Sequence, residues 1–311
     1  MKNLLPIAGA LLIASSGLPE QAVAGENRQV IYGSVEIGDV SVFYREAGPT
    51  SAPTILLLHG FPSSSHMFRD LIPELAENYR VIAPDYPGFG QSSAPDAGAY
   101  DYDFATLSAT IAEFTETLNI SSYTLFMQDY GGPVGFRLAQ SDPDKVDGII
   151  IQNATIHAQG WNPDIVGHLA PFWENRTPET EAPLRGFLTP ETTKWQYTEG
   201  ASLTHRISPD AWINDQAGLD RPGNQEIQLE YLWNYQDNVA QYPAWQAYLA
   251  EHQPDTLIVW GRNDPFFLID GVEAIQELVP DADVQLFDAG HFALETHSRE
   301  ISDAVHRFMA R

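Results

Sequence analysis

Three side chains with the chemistry of a hydrolytic triad, Asp129, Asp264 and His291, each follow a short apolar run that resembles a β-strand. A carboxylate can act as a nucleophile, a histidine as a general base, and a second carboxylate can orient the histidine. Parallel strands bring their carboxyl ends to one edge of a sheet, so residues that directly follow them can meet there. The pattern therefore predicts Asp129 as nucleophile, His291 as base and Asp264 as the orienting acid.

The residues after Asp129 predict a tight turn from a strand into a helix. Gly131 and Gly132 let the helix approach closely, and Pro133 fits a first helical turn, where its missing N–H would be unpaired in any case. An isolated aspartate at such a place is more often a helix cap. The two other segments, in the order nucleophile, acid, histidine, favour the catalytic interpretation.

The turn at residues 58–62 (LHGFP) is predicted to provide one of the two donors of an oxyanion hole. The backbone N–H groups of Phe61 and Tyr130 are the expected donors to an oxygen that becomes negatively charged during the reaction. His59 precedes this turn and is expected to have a structural hydrogen-bonding role. Asp85, in a Gly- and Pro-rich turn after another strand, is expected to be structural as well.

The hydrophobic pattern predicts the elements that carry these residues. Alternation over residues 29–46, with a turn at Gly38 and Asp39, predicts an opening β-hairpin. Nearly continuous apolar runs then predict strands covered on both faces. These runs occupy residues 54–58, 80–83, 123–127, 148–151, 256–260 and 284–287, and helix-like stretches occupy residues 105–118, 134–140 and 272–278. The chain therefore predicts an α/β fold with a mostly parallel, doubly wound sheet.

The strand pattern is missing from residues 155–245, which mix aromatic, proline and polar residues. We interpret this segment as a helical cap inserted into a single core domain. The core then comprises residues 25–154 and 246–311. An aromatic residue in the cap is better explained by packing than by ligand binding unless a further pattern singles it out.

Residues 1–24 have the pattern of a secretory signal peptide. Lys2 precedes an apolar run at residues 4–14, and Ala22 to Ala24 offer a cleavage site with small residues at its first and third positions. The run is too short to serve as a permanent bilayer anchor. We expect cleavage after Ala24 and a periplasmic or extracellular mature protein with no stable membrane anchor.

Composition disfavours several functional classes. The formal net charge is -26 and there is no cluster of Lys and Arg, so binding to nucleic acid or to an anionic membrane is disfavoured. The sequence contains no cysteine, which excludes disulfides, thiolate metal sites and cysteine nucleophiles. We expect no metal and no cofactor, and the expected partners are water and a small organic substrate.

Five motifs resemble the epoxide hydrolase and haloalkane dehalogenase branch of the α/β-hydrolase superfamily. They are HGFP at 59–62, PDYPGFGQS at 84–92, QDYGG at 128–132, GRND at 261–264 and GHF at 290–292. The resemblance extends over nearly all of residues 25–311 and is weakest in the cap. It implies the α/β-hydrolase fold and a carboxylate nucleophile that attacks an sp3 carbon. The resulting ester is hydrolysed by water that the histidine activates.

The resemblance leaves the leaving group open. In epoxide hydrolases phenols from the cap assist ring opening, and Tyr235 stands where one of them is expected. Phe172 and Trp173 occupy the place of the other, and Trp173 is similar to a halide-binding tryptophan of some dehalogenases. Phe61 matches the epoxide hydrolase pattern, whereas Tyr130 replaces the tryptophan that often follows the nucleophile in dehalogenases.

The sequence thus predicts a cofactor-free epoxide hydrolase for a small, largely apolar substrate, with Tyr235 assisting ring opening. Haloalkane dehalogenase is an alternative, with Trp173 and Tyr130 near the halide. A third alternative, from a different class, is a non-catalytic protein that binds a small ligand on the same fold. The intact triad disfavours it.

Overall fold

Eight strands form one sheet in the computed structural model, which describes residues 28–311; the predicted signal peptide lies outside these residues. The strands are β1 (Ile31–Ile37), β2 (Val40–Ala47), β3 (Thr54–Leu58), β4 (Arg80–Pro84), β5 (Tyr123–Gln128), β6 (Val146–Gln152), β7 (Thr256–Gly261) and β8 (Asp283–Phe287). Their order across the sheet is β1-β2-β4-β3-β5-β6-β7-β8. The β1–β2 and β2–β4 pairs are antiparallel, and all other neighbours are parallel. The predicted fold class is confirmed.

The α-helices of the described residues follow the strands and fill the insertion. They are α1 (Leu71–Leu75), α2 (Phe104–Thr117), α3 (Gly131–Ser141), α4 (Pro163–Glu174), α5 (Pro178–Arg185), α6 (Pro190–Thr198), α7 (Pro209–Leu219), α8 (Asn224–His252), α9 (Asp270–Leu278) and α10 (Leu294–Met309). Short 3-10 helices occur at Ser65–Phe68, Pro143–Lys145, Ala158–Gly160, Gly186–Leu188 and Thr204–Arg206. Helix α8 continues to His252, beyond the predicted cap boundary at residue 245.

Successive residues of the central strands face two different apolar cores, because side chains alternate between the faces of a sheet. Leu56 and Leu58 lie in the core that also contains Phe104 of α2, whereas Ile55 and Leu57 lie in the core formed with α1 and α10. Both faces are thus covered, which explains why these strands are apolar at nearly every position. The sheet can therefore hold the residues at its carboxyl edge in fixed positions.

The two ends of the sheet differ from its centre. The predicted opening hairpin is confirmed: β1 pairs with β2 across a turn in which Gly38 has φ +55°. The prediction that residues 284–287 are covered on both faces is wrong. β8 lies at one edge of the sheet and, of the described strands, pairs only with β7, and Leu286 is 38% exposed.

Hydrogen bonds from α8 and from the residue Arg221 before it connect the insertion to the loop that follows β4. The Gln228 amide donates to the Gly88 carbonyl oxygen at 3.1 Å, and the Tyr231 hydroxyl donates to the Pro87 carbonyl oxygen at 3.2 Å. Arg221, just before α8, donates to the Ser92 carbonyl oxygen at 3.0 Å. The insertion therefore covers the carboxyl edge of the sheet. Within residues 28–311, no helix combines the length and the apolar character needed to cross a membrane.

Candidate active site

Asp129 lies at the sharp turn between β5 and α3. Its φ is +49°, a left-handed conformation that a non-glycine residue adopts only when its surroundings enforce it. Gly131 makes the turn possible, because a Cβ there would collide with the Leu58 carbonyl oxygen. The turn lifts the Asp129 carboxylate out of the sheet edge, where it is 8% exposed.

Two backbone N–H groups lie beside this carboxylate. The Phe61 N–H donates to Asp129 Oδ1 at 2.6 Å, and the Tyr130 N–H is near enough to lower the pKa of the carboxyl group. The Phe61–Pro62 peptide bond is cis. Burial raises the pKa of Asp129, while His291 and the two N–H groups act in the opposite direction. The structure thus brings the two predicted oxyanion donors to the predicted nucleophile.

His291 lies between the two carboxylates. Its Nδ1 is 2.8 Å from Asp264 Oδ2, and its Nε2 is 3.8 Å from Asp129 Oδ2. An ionised carboxylate can only accept, so Nδ1 carries the proton and Nε2 is the unprotonated ring nitrogen. Burial disfavours the charged imidazolium, but the charge and hydrogen bond of Asp264 outweigh it and raise the pKa of His291. This geometry suits a general base.

Asn153, at the end of β6, supports the triad and was not predicted from sequence. Its side chain donates to Asp264 Oδ2 at 2.7 Å and accepts the Gly261 N–H at 3.0 Å. Its carbonyl oxygen accepts the Asp129 N–H at 3.3 Å. Asn153 therefore connects the turns that carry the nucleophile and the orienting acid, and its own φ of +46° marks a third sharp turn at the same edge.

Gln128 directly precedes the nucleophile and is fully buried. Its Nε2 is 2.9 Å from His291 Nε2, while its Oε1 has no protein partner. Since a side-chain amide N–H can only donate, this contact requires His291 Nε2 to be an unprotonated acceptor. Gln128 therefore favours the neutral form of the base, a role that its position in the sequence did not reveal.

The pocket above the triad is mostly apolar. It holds about 540 Å³ of space not filled by atoms, with its open mouth included, and Asp129 and His291 form part of its wall. Its apolar lining includes Ile165, Leu169, Phe187, Leu232, Phe266 and Phe267. Among the residues that the structure describes, no lysine or arginine lines it. The walls of the pocket are therefore mainly apolar, with the catalytic side chains as the charged part.

Of the two cap residues that were predicted to stabilise a leaving group, one lines the pocket and the other does not. Tyr235 lines the pocket together with Tyr130, and their ring centroids are 5.7 Å apart. Trp173 does not line the pocket, and its indole N–H donates to the Leu232 carbonyl oxygen at 2.8 Å. This donor is used within the protein, so the structure does not bring the Trp173 N–H to the nucleophile as the sequence predicts. Its ring instead stacks on Tyr235.

Two further residues in the pocket region were not singled out from sequence. Tyr242 accepts the indole N–H of Trp161, which lines the pocket, at 2.9 Å, and its phenol interacts with Tyr235. Gln196 lines the pocket, is 1% exposed, and has a side-chain Nε2 without a hydrogen-bond partner. The sequence around Tyr242 and Gln196 does not show whether these residues line a pocket or only pack between helices.

His59 and Asp85, which lie outside the triad, make structural hydrogen bonds, as expected. His59 is fully buried, hydrogen-bonds through both ring nitrogens to backbone groups, and burial lowers its pKa to about 3. The Asp85 carboxylate accepts the N–H groups of Ser65 and Gln91, each at 2.7 Å. In residues 28–311, no group of three or more acidic, histidine or cysteine side chains is arranged to hold a metal ion.

Comparison with known sequences identifies related hydrolases. The model of the alpha/beta hydrolase fold matches residues 53–298. An uncharacterized hydrolase of Saccharomyces cerevisiae is 40% identical over 269 residues, which are 86% of this chain and 92% of the relative. A haloalkane dehalogenase of Psychrobacter cryohalolentis is 41% identical over 111 residues, 35% of this chain and 36% of the relative. Such relatives support an enzyme rather than a non-catalytic binding protein.

Solved structures share the architecture. A loop variant of a haloalkane dehalogenase from Bradyrhizobium elkanii superposes with a TM-score of 0.73 and 23% identity, covering 90% of this chain and 97% of that one. The epoxide hydrolase CorEH gives a TM-score of 0.73 and 22% identity, covering 91% of this chain and 99% of that one. At these identities the likeness shows the fold alone, and the choice between the two chemistries rests on the pocket.

Proposed function

Since this chain belongs to the α/β-hydrolase family and is a hydrolase, we propose that it is an epoxide hydrolase, which converts an epoxide and water into a vicinal diol through an ester on Asp129. The proposed substrate is small, uncharged and largely apolar, in keeping with the pocket lining. The geometry supports a reaction in two steps with a covalent intermediate.

In the first step Asp129 Oδ2 attacks a ring carbon of the epoxide. Oδ1 is held by the Phe61 N–H, so Oδ2 is the oxygen available to the substrate. A new bond forms between Oδ2 and the carbon while the bond from that carbon to the ring oxygen breaks. The Tyr235 phenol gives its proton to the departing alkoxide. A carboxylate is already anionic, so this step needs no base.

In the second step His291 Nε2 takes a proton from a water molecule, whose oxygen adds to the Asp129 side-chain carbonyl carbon. The negative charge that develops on Oδ1 is stabilised by the Phe61 N–H, which already donates to Oδ1, and by the adjacent Tyr130 N–H. The bond between this carbon and the ester oxygen then breaks, and the proton of the added hydroxyl passes to the departing alkoxide, which restores the Asp129 carboxylate. The diol leaves, and the proton on His291 returns to the tyrosinate formed at Tyr235 by way of solvent.

The observation that carries this proposal is the kind of donor in the pocket. The indole N–H groups of Trp161 and Trp173 are both used by protein acceptors, so they are not free for a halide. The phenol of Tyr235 lines the pocket with Asp129. Burial first, then Tyr242 and Asp129, raise its pKa well above the ordinary value. It therefore remains protonated at neutral pH and can give a proton to an alkoxide.

Haloalkane dehalogenase is a second candidate, favoured by two observations. The dehalogenase relative covers about a third of this chain at 41% identity. In addition, the Tyr130 hydroxyl is buried without a protein partner, next to the nucleophile. A hydroxyl in that place can donate a hydrogen bond to a departing halide as well as to an alkoxide.

Product analysis separates the two candidates. The purified protein is incubated in parallel with a series of 1,2-epoxyalkanes and with 1-bromoalkanes of the same chain lengths, and diol and free bromide are quantified. Diol formation at a rate well above that of Asp129→Ala is the expected result. Release of bromide without diol formation would instead establish the dehalogenase.

A further inference from the structure

We propose that Tyr197 and Ser202 of the cap are positioning residues that hold the loop of the catalytic histidine, and that hydrolysis of the ester depends on them. This inference rests on the proposed function, because it concerns the second of the two proposed steps. Both residues belong to what we call the contact segment, residues 197–202 (YTEGAS), which begins near the end of α6. Neither residue lines the pocket, so both act through the residues that they contact.

Tyr197 packs directly on the residue that follows the catalytic histidine. Its ring stacks on Phe292, with centroids 4.0 Å apart and an interplanar angle of 5°. Tyr197 is buried, and its hydroxyl donates to the Asp215 carboxylate of α7, which holds the far end of the ring. Because Phe292 directly follows His291 in the chain, a shift of the Tyr197 ring would displace the imidazole.

The rest of the contact segment lies against the backbone of the same loop. The Ser202 hydroxyl donates to the Asp288 carbonyl oxygen at 2.7 Å. At Gly290 there is no space for a side chain, because a Cβ there would collide with the carbonyl oxygen of Glu199. The contact segment therefore touches the loop both before and after His291.

The contact segment also reaches the loop of the orienting acid. The Asn263 side-chain amide donates to the Gly200 carbonyl oxygen at 2.9 Å and to Asp288 Oδ1 at 2.8 Å. Asn263 directly precedes Asp264 in the chain. One segment of the cap thus joins the two loops whose side chains form the hydrogen bond between His291 and Asp264.

The two steps of the reaction differ in how much they need this alignment. Asp129 attacks as a carboxylate, so ester formation requires no base. Ester hydrolysis requires His291 Nε2 beside the attacking water, and a misplacement of about 1 Å can slow such a step by about 10²-fold. Loosening the contact segment should therefore slow hydrolysis and leave ester formation nearly unchanged. Loss of folded protein would instead reduce both steps alike.

Single-turnover kinetics with enzyme in excess separate the two steps. The substrate is a terminal epoxide, or a bromoalkane if that class is turned over, and the ester on Asp129 is quantified by protein mass after quenching. Tyr197→Leu removes the stacked ring, so we expect hydrolysis to slow by about tenfold or more and ester formation to change by less than about twofold. Ser202→Ala removes one hydrogen bond at an exposed residue and should slow hydrolysis by about threefold.

Two variants at the opposite edge of the sheet are matched controls. Tyr248, near the end of α8 and before β7, stacks on His252 with ring centroids 4.7 Å apart, and Tyr248→Leu removes this stacking. Ser141, at the end of α3 and before β6, is exposed and donates to the Leu138 carbonyl oxygen, and Ser141→Ala removes this bond. Both controls should keep the native ratio of the two rates.

The ratio of the two rates also gives the results that would overturn the inference. Equal slowing of both steps in Tyr197→Leu and in Ser202→Ala would show that the contact segment is only structural. A hydrolysis rate within about twofold of the native rate in both variants would show that His291 does not depend on the segment. If Tyr197→Leu does not fold, Ser202→Ala alone decides.

Hydrogen exchange separates failure of this inference from failure of the proposed function. If neither epoxides nor bromoalkanes are turned over, the proposed function fails, but the loops can still be examined without a substrate. The N–H of Asn263 donates to the Ala289 carbonyl oxygen and so reports the contact between the two loops. We expect this N–H to exchange about tenfold faster in Tyr197→Leu than in the native protein and in Tyr248→Leu. Equal exchange in all three proteins would reject the inference.

Discussion

The sheet edge and the cap build the two halves of this pocket in different ways. At the sheet edge, Asp129, Asp264 and His291 each follow a strand, and their positions are fixed by backbone turns and by Asn153. In the cap, polar groups are positioned by contacts between helices. One example is the Trp173 indole N–H, which donates to the Leu232 carbonyl oxygen. The comparison indicates that the sheet edge determines the reaction class, whereas the cap determines the leaving group and the substrate.

Replacing one residue on each side tests this division most strongly. Asp129→Ala removes the nucleophile and is expected to lower kcat/KM for a terminal epoxide by about 10⁴-fold or more. Trp173→Phe keeps an aromatic ring beside Tyr235 but removes the indole N–H that donates to Leu232, so less than about tenfold is expected, in the range of one lost structural hydrogen bond. Initial rates of diol formation provide both values. An Asp129→Ala enzyme that keeps a tenth of the native rate would contradict the division.

Within the cap, Tyr235 and Tyr242 form a matched pair of phenols with different expected effects. Tyr235 lines the pocket, so Tyr235→Phe should lower kcat for epoxides by about 10²-fold through loss of the proton donor. Tyr242 does not line the pocket and accepts the Trp161 indole N–H, so Tyr242→Phe should lower kcat much less. Stopped-flow measurement of ester formation assigns the loss to the first step. Equal effects of the two variants would show that Tyr235 acts only by packing.

At the sheet edge, the pH dependence of ester hydrolysis tests the smaller contribution of Gln128. His291 must be neutral to take a proton from water, so the rate should fall as the pH is lowered through its pKa. Because Asp264 raises this pKa despite burial, the acidic limb should lie above the ordinary imidazole pKa of about 6.5.

The Gln128 amide donates to the neutral His291 Nε2 and so stabilises the unprotonated form. Gln128→Leu should therefore raise the pKa of His291 further and move the acidic limb to higher pH. Gln140→Leu, an exposed glutamine on α3, is the control and should leave the limb in place. A limb that stays at the same pH in Gln128→Leu argues against a role for this amide in holding the base neutral.

The same division explains what could be predicted from the sequence. The turn after β5 can be recognised from nearby residues, since Gly131 and Gly132 stand two and three positions after the predicted nucleophile. Continuous apolar runs identify strands, and parallel strands bring the residues after them together, so Asp264 and His291 could be assigned to the same edge. The apolar pattern of β8 could not reveal its position at the edge of the sheet, because edge and centre differ only in their neighbours.

The cap offered no such local signal. Trp173 and Tyr235 both lie on helices of the cap, and which of them reaches the pocket depends on how α4 packs on α8. The Trp173 indole N–H is used by a carbonyl group far away in the sequence. Gln196 is a polar residue of a short helix, and only the packed structure shows that it is buried beside the pocket. Such tertiary contacts have no periodicity that a sequence can display.

The measurement that tests the role of Asp129 most directly is the intact mass of His291→Gln after incubation with a terminal epoxide. Loss of the base should block ester hydrolysis and trap the intermediate, so we expect a mass increase equal to the whole epoxide, located on the peptide that contains Asp129. The double variant Asp129→Ala, His291→Gln should gain no mass. If the folded His291→Gln protein gains no mass from epoxides or bromoalkanes, Asp129 is not the nucleophile. An increase from a bromoalkane equal to its alkyl group, without one from epoxides, would keep the nucleophile and establish the dehalogenase.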